Sequence, residues 1–166
     1  MKKLGLVIAA LTASAIAAPA QDDDAFVTVR NLKPEVALQM AEAAMVSCRD
    51  QGYQVGVAVV DRSGVLQVFL RDRFAGPHVI ETATRKAWTA VSFRTDTLAL
   101  DENTRTDGIS FGIREIGQAL PLGGGVPVEA AGSLVAGIGI SGAPGPDIDD
   151  ACARDGIAAI EDLIGF

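Results

Sequence analysis

Histidine, tryptophan and tyrosine occur once each in the 166 residues and cysteine only twice, and aromatic residues make up just 5% of the chain. One histidine and two cysteines are too few for the four-ligand site that structural zinc takes. A serine triad would have to use the single His78, and Ser141, in Gly139-Ile140-Ser141-Gly142-Ala143, lacks the G-x-S-x-G spacing of a nucleophile elbow. Cations are also scarce: 14 Lys and Arg stand against 21 Asp and Glu, a net charge of -7. Binding to a nucleic-acid backbone needs a cationic surface, so nucleic acid is excluded as the main partner. Beyond the N-terminus no apolar run reaches the roughly 18 to 20 residues that a membrane helix requires.

What is present begins with a leader. Lys2 and Lys3 form a basic region, Leu4 to Ile16 an apolar one, and Ala18-Pro19-Ala20 a small-residue cleavage signal before the polar Gln21-Asp22-Asp23-Asp24. Residues 1–20 are therefore expected to be a signal peptide cleaved after Ala20, placing the protein in the periplasm or outside the cell. The leader holds two of the basic residues and none of the acidic ones, so the remaining chain carries a net charge of -9. Residues 21–166 are of a size for one domain, large enough to bury roughly 68 to 70% of the surface of the unfolded chain.

Pro34 suits the first position of a helix, and Leu38, Ala41, Met45 and Cys48 recur on one face up to the stop at Gly52. Tyr53 to Asp61 and Val65 to Arg71, split by Arg62-Ser63-Gly64, read as a hairpin. A second helix runs from Gly76-Pro77 to about Phe93 with a stripe of Ile80, Ala83, Ala87, Trp88 and Val91, and Thr95 to Glu102 adds a short third. Thirteen of the 18 glycines follow Thr95. Leu120 to Glu129, with three glycines and then Val126-Pro127-Val128, reads as a turning strand pair, and Leu134 to Gly142 as a further strand. Asp147 is expected to cap the last helix. The strands around Ala58 and around Gly137 and Gly139 each carry one face of small residues, which predicts close helix packing there ahead of room for a ligand.

These pieces make an α+β domain with an antiparallel sheet. Gly56-Val57-Ala58-Val59-Val60-Asp61 with Gly64, Arg71-Asp72, Ala83, Lys86-Ala87, Thr89-Ala90, Gly124-Gly125-Val126-Pro127-Val128 and Gly137-Ile138-Gly139-Ile140-Ser141-Gly142-Ala143, in this order and spacing, resemble the HbpS/GlcG-like (DUF336) family. That family comprises small haem-binding and ligand-binding proteins and also supplies the C-terminal domain of some corrinoid adenosyltransferases. The resemblance implies a profilin-like α-β-α arrangement with a five-stranded antiparallel sheet flanked by helices, and assembly into a homo-oligomer. It also implies that the first and last strands are antiparallel neighbours, which brings the end of the first helix and the start of the last to one edge. On that basis Cys48 and Cys152 are expected to form a disulfide. One stretch departs from the family: where relatives carry a short Asp-Gly-Ala type of turn, this chain has the longer Asp72-Arg73-Phe74-Ala75-Gly76-Pro77-His78.

Neutral His78 is a candidate axial ligand for haem iron, and an exposed position in the first helical turn is its bland alternative. Tyr53, Met40 and Met45 are further candidates, although the methionines fall in a core pattern. Arg71, Arg73, Arg85 and Lys86 form a local cationic group that suits carboxylates, including haem propionates, or else a solvated face paired with Asp72 and Glu81. Phe74 and Trp88 offer apolar walls, Trp88 fitting the core stripe as well. No acid, base and nucleophile set can be assembled, so an enzyme ranks last. The expectation is an exported haem-binding or haem-handling protein. A periplasmic binder or sensor of a small carboxylate, and an oligomeric accessory protein without a cofactor, stand as alternatives.

Overall fold

A computed structural model describes residues 25–165, and the expected signal peptide lies outside them. Helix α1, Pro34–Asp50, starts where Pro34 takes the first helical position, and Gly52 follows its end with a φ of 88°. Its buried face is Ala37, Met40, Ala41, Ala44, Met45 and Cys48. Leu38, expected inside, is exposed. The reason is the partner helix, α4 (Pro146–Ala158): a Cβ added at its Gly156 would lie 2.8 Å from the Met40 carbonyl oxygen and 2.7 Å from Ala44 Cβ, so the helices meet along their small residues.

Strands β1 (Gly56–Asp61) and β2 (Leu66–Arg71) form the expected hairpin, and α2 (Val79–Phe93) and α3 (Thr97–Asn103) follow. Strands β3 (Gly125–Ala130) and β4 (Ser133–Ser141) complete an antiparallel sheet of order β2-β1-β4-β3. The expected fifth strand is not found among the described residues. Leu120 to Glu129 supplies one strand rather than two because its first half is held off the sheet. There Thr97 Oγ1 donates to the Leu122 carbonyl and accepts from the Gly125 amide, both at 2.8 Å. The cap of α4 also differs: Gly145 occupies it, no side chain caps the helix, and Asp147 lies in the first turn.

Helices α1 and α4 pack on one face of the sheet and α2 on the other. Val57 and Val59 of β1 and Ile138 and Ile140 of β4 fill the first interface, while Ala58 and Val60 meet Ala83, Ala87 and Val91 of α2 in the second. The bare strand faces are filled by backbone. A Cβ added to Gly139 would lie 2.1 Å from the Ala83 carbonyl oxygen, and one added to Gly125 would lie 2.4 Å from that of Lys86. Ile80, expected in the α2 stripe, is exposed, and Trp88 lies half-buried over Gly64.

Strands β1 and β4 pair along their length, Gly56 opposite Ser141 through Asp61 opposite Ala136. Cys48 and Cys152, both buried, are joined across the adjoining helix ends with Cα atoms 5.6 Å apart. The bond spans 104 residues, and closing a loop of that size stabilises by about 4 to 5 kcal/mol in the chain-entropy model. Reduction should add two hydrogens to the intact mass and lower Tm by roughly 10 °C; an unchanged mass would show that the thiols are free. Gly139→Ala should cost at least about 3 kcal/mol in urea unfolding, since backbone on both sides must move.

Candidate functional site

Helix α2 carries His78, Thr82 and Lys86 at four-residue intervals, hence on one face and at successive depths. His78, at the N-cap, is exposed, Thr82 is half-buried and Lys86 is 1% exposed. Opposite them stand Ser141, at the end of β4, the loop Gly142 to Pro146, and Asp149 in the first turn of α4. With Leu122 at the side they enclose an open cleft of about 320 Å³.

The imidazole of His78 rests against Gly76, where an added Cβ would lie 2.7 Å from both Nδ1 and Cε1 but 3.9 Å from Nε2. Nδ1 thus faces the loop and Nε2 turns away from it. Deeper in, Thr82 Oγ1 is 2.7 Å from Ser141 Oγ and 3.0 Å from the His78 carbonyl oxygen. At the inner end Lys86 Nζ donates to Asp149 Oδ2 at 2.8 Å and to the Ile140 carbonyl at 2.9 Å. Asp149 also accepts from the Ala143 amide at 3.1 Å. Burial lowers the Lys86 pKa against the opposing pull of the Asp149 carboxylate. Burial raises that of Asp149 against Lys86 and the Ala143 amide. The pair therefore ties α2, β4 and α4 together at the floor of the cleft.

The cationic residues singled out in the sequence separate in space. Arg71 donates to the Ala75 carbonyl and so closes the loop it begins. Asp72, 1% exposed, accepts from Arg49 Nε at 2.6 Å and from the Arg73 amide at 2.8 Å, which roots the loop on α1. The Arg73 guanidinium lies 5.9 Å from the ring centre of Phe74, and Phe74 is 80% exposed. Arg85 bonds to Glu81 and to the carbonyls of Gln118 and Ala119, lining a different hollow with Trp88. Met40 and Met45 lie in the core, and Tyr53 packs against it.

His78 and Lys86 thus share the cleft, while Arg73 and Phe74 sit on the loop that leads into it. Thr82 and Asp149 were not anticipated as site residues, and Ser141 was weighed only as a nucleophile. The four-residue spacing from His78 to Thr82 to Lys86 was the available signal.

A family model described as haem-degrading protein HbpS-like matches residues 32–158. The corrinoid adenosyltransferase PduO of Citrobacter freundii is 32% identical over 124 residues, which cover 74% of this chain and 37% of that protein. The chain therefore spans little more than a third of the curated relative. The crystal structure of a double mutant of Streptomyces reticuli HbpS superposes with a TM-score of 0.79 at 38% identity, covering 89% of this chain and 99% of the other. The crystal structure of a PduOC–haem complex superposes with a TM-score of 0.74 at 31% identity, covering 79% and 96%.

Two outcomes are expected from the ion pairs. Lys86→Met leaves the Asp149 carboxylate buried without its cation and should cost about 3 to 5 kcal/mol in urea unfolding, whereas Lys86→Met with Asp149→Leu should recover most of the loss. The Asp72 carboxyl is held below its ordinary pKa, first by the hydrogen bond from Arg49. Its contribution to stability is therefore complete above about pH 4 and disappears as pH falls through the lowered value. Asp72→Asn should flatten that part of the acid-unfolding profile.

Proposed function

The chain belongs to the HbpS-like family across residues 32–158, and from that membership we propose that it is an exported haem-binding protein. The observation that carries the proposal is full-length similarity to HbpS, joined by similarity to a domain whose crystal structure is a complex with haem. The residues of this chain fit such a ligand. His78 offers an imidazole whose ring accepts and donates no hydrogen bond among the described residues, with Nε2 turned away from the supporting Gly76. That nitrogen would hold the iron, and Gly76 would orient the ring. Phe74 presents exposed aromatic surface to a macrocycle in a chain with few aromatics. Arg73, beside it, can pair with a propionate through charge-assisted hydrogen bonds. Bound haem would supply an iron centre for redox or oxygen chemistry.

The remaining cations serve the scaffold: Lys86 holds Asp149, Arg71 closes the loop, and Arg85 anchors the segment at Gln118 and Ala119. Export by the leader at residues 1–20 is part of the proposal and is supported by its sequence. Assembly into a homo-oligomer is part of it too. Exposed Leu38 and Val46 on α1, together with Leu66 on the unpaired edge of β2, support that assembly.

Titration of the purified protein with haemin should give a saturable Soret shift at micromolar concentration. His78→Ala should remove or relocate the band, and Arg73→Ala should weaken binding about tenfold. Absence of any saturable shift in the wild type would end the haem proposal, and an unchanged band in His78→Ala would release His78 from the ligand role. Protein recovered from the periplasm or medium should begin at Gln21, and light scattering should give a mass above that of one chain.

A further inference from the structure

Four features meet at the inner half of the cleft, apart from the loop that carries Arg73 and Phe74. Lys86 Nζ has three N–H groups, of which Asp149 Oδ2 and the Ile140 carbonyl take two; the third has no acceptor among the described residues. That leftover donor belongs to a side chain 1% exposed that lines the cleft. Next to it, Ser141 and Thr82 form a hydroxyl pair, Ser141 being 6% exposed. With Thr82 donating to the His78 carbonyl and Ser141 donating to Thr82, the Ser141 hydroxyl is satisfied as a donor; the reversed arrangement frees its proton for the cleft. Finally, α2 and α4, of 15 and 13 residues, both begin on this cleft without a side-chain cap, so both positive helix ends face it.

The one fixed negative charge at the floor, Asp149, is already matched by Lys86 and the Ala143 amide. What faces the cavity beyond it is donor-rich. A ligand group that uses these donors carries negative charge and accepts from a hydroxyl and an ammonium together.

We propose that the inner half of this cleft is a carboxylate-binding subsite, in which the Ser141 hydroxyl and the spare N–H of Lys86 receive one carboxylate group. Thr82 positions the Ser141 hydroxyl, and the two helix ends favour the charge. The carboxylate is supplied either by a propionate of haem held at His78 or by a free small organic acid. The first source rests on the haem proposal; the second stands without it.

The test uses the mature chain with Ser141→Ala and Thr82→Val, both mild in volume, so that folding is preserved where Lys86→Met would endanger it. In one arm, haemin and haemin dimethyl ester are titrated. A propionate at the subsite predicts that the ester binds at least about tenfold more weakly to the wild type and that Ser141→Ala narrows the difference, the share due to Arg73 remaining. In the other arm, succinate is titrated without haem and followed by Tm, against sodium chloride at equal ionic strength. A free acid predicts a saturable rise that is lost in Ser141→Ala and reduced in Thr82→Val. An effect dependent on Ser141 in either arm upholds the subsite. No such effect in either arm, a rise with succinate matched by chloride counting as none, overturns it. Should haemin fail to bind at all, the haem proposal falls and the succinate arm alone decides the subsite.

Discussion

The structure depends on backbone meeting backbone where α2 crosses the sheet. Gly137, Gly139 and Gly125 leave a path with no side chains, and the carbonyls of Ala83, Lys86 and Ala87 lie in it. A helix normally packs 8 to 10 Å from its neighbour because side chains intervene. Here they are missing from the strand side, so α2 sinks toward the sheet, and the hydrophobic surface that Ala83, Ala87 and Val91 bury against Ala58 and Val60 is small but dense. Close packing of this kind gains dispersion contacts and leaves no void. It also fixes where α2 points its polar face.

That consequence reaches the cleft. Because α2 lies deep, Lys86 is carried below the surface and its ammonium reaches the Ile140 carbonyl across the helix–sheet junction. A lysine so placed needs a counter-charge, and Asp149, 63 residues away in sequence, provides it from the first turn of α4. A buried ion pair is weak evidence for net stability, since desolvation offsets much of the attraction. Its contribution is one of position: it sets the start of α4 against the end of β4, and the loop between them, Gly142 to Pro146, becomes the wall of the cleft. The Cys48–Cys152 bond ties α4 to α1 about one turn beyond Asp149. The cleft is thus framed by constraints of two different kinds on one helix.

Much of this could be read from residue order. The alternation of small residues in β1 and β4 pointed to close packing, and Pro34 and Gly52 marked α1. The family resemblance placed β1 beside β4 and so paired the cysteines. Other features lay beyond pattern. Arg85 and Lys86 are adjacent in sequence and were grouped as one cationic patch, yet successive helix residues point about 100° apart. One turns to Gln118 and Ala119, the other into the interior. Periodicity likewise does not choose between neighbouring stripes: Leu38 and Ile80 are exposed because Ala44 with Gly156, and Ala83 with Gly139, permit closer approach on the adjoining stripes. The strand count was overstated because Val126-Pro127-Val128 and the residues before Gly125 have similar local character, and only the contact of Leu122 and Gly125 with Thr97 separates them.

The loop from Asp72 to His78 shows how a longer connection can expose side chains without losing order. Its root is fastened by Asp72 to Arg49 and its middle by Arg71 to the Ala75 carbonyl, while its end runs directly into α2. Gly76 leaves space for the Nδ1–Cε1 edge of the His78 imidazole to rest against the backbone. The side chains without such fastening are those of Arg73 and Phe74, and they face solvent as a pair. A ligand that meets this loop therefore orders two side chains instead of a whole segment. Each immobilised side chain costs roughly 0.5 to 1.5 kcal/mol, and ordering several backbone residues would cost considerably more. On a scaffold already held by α2 and the sheet, exposure of these groups is compatible with a site prepared in advance.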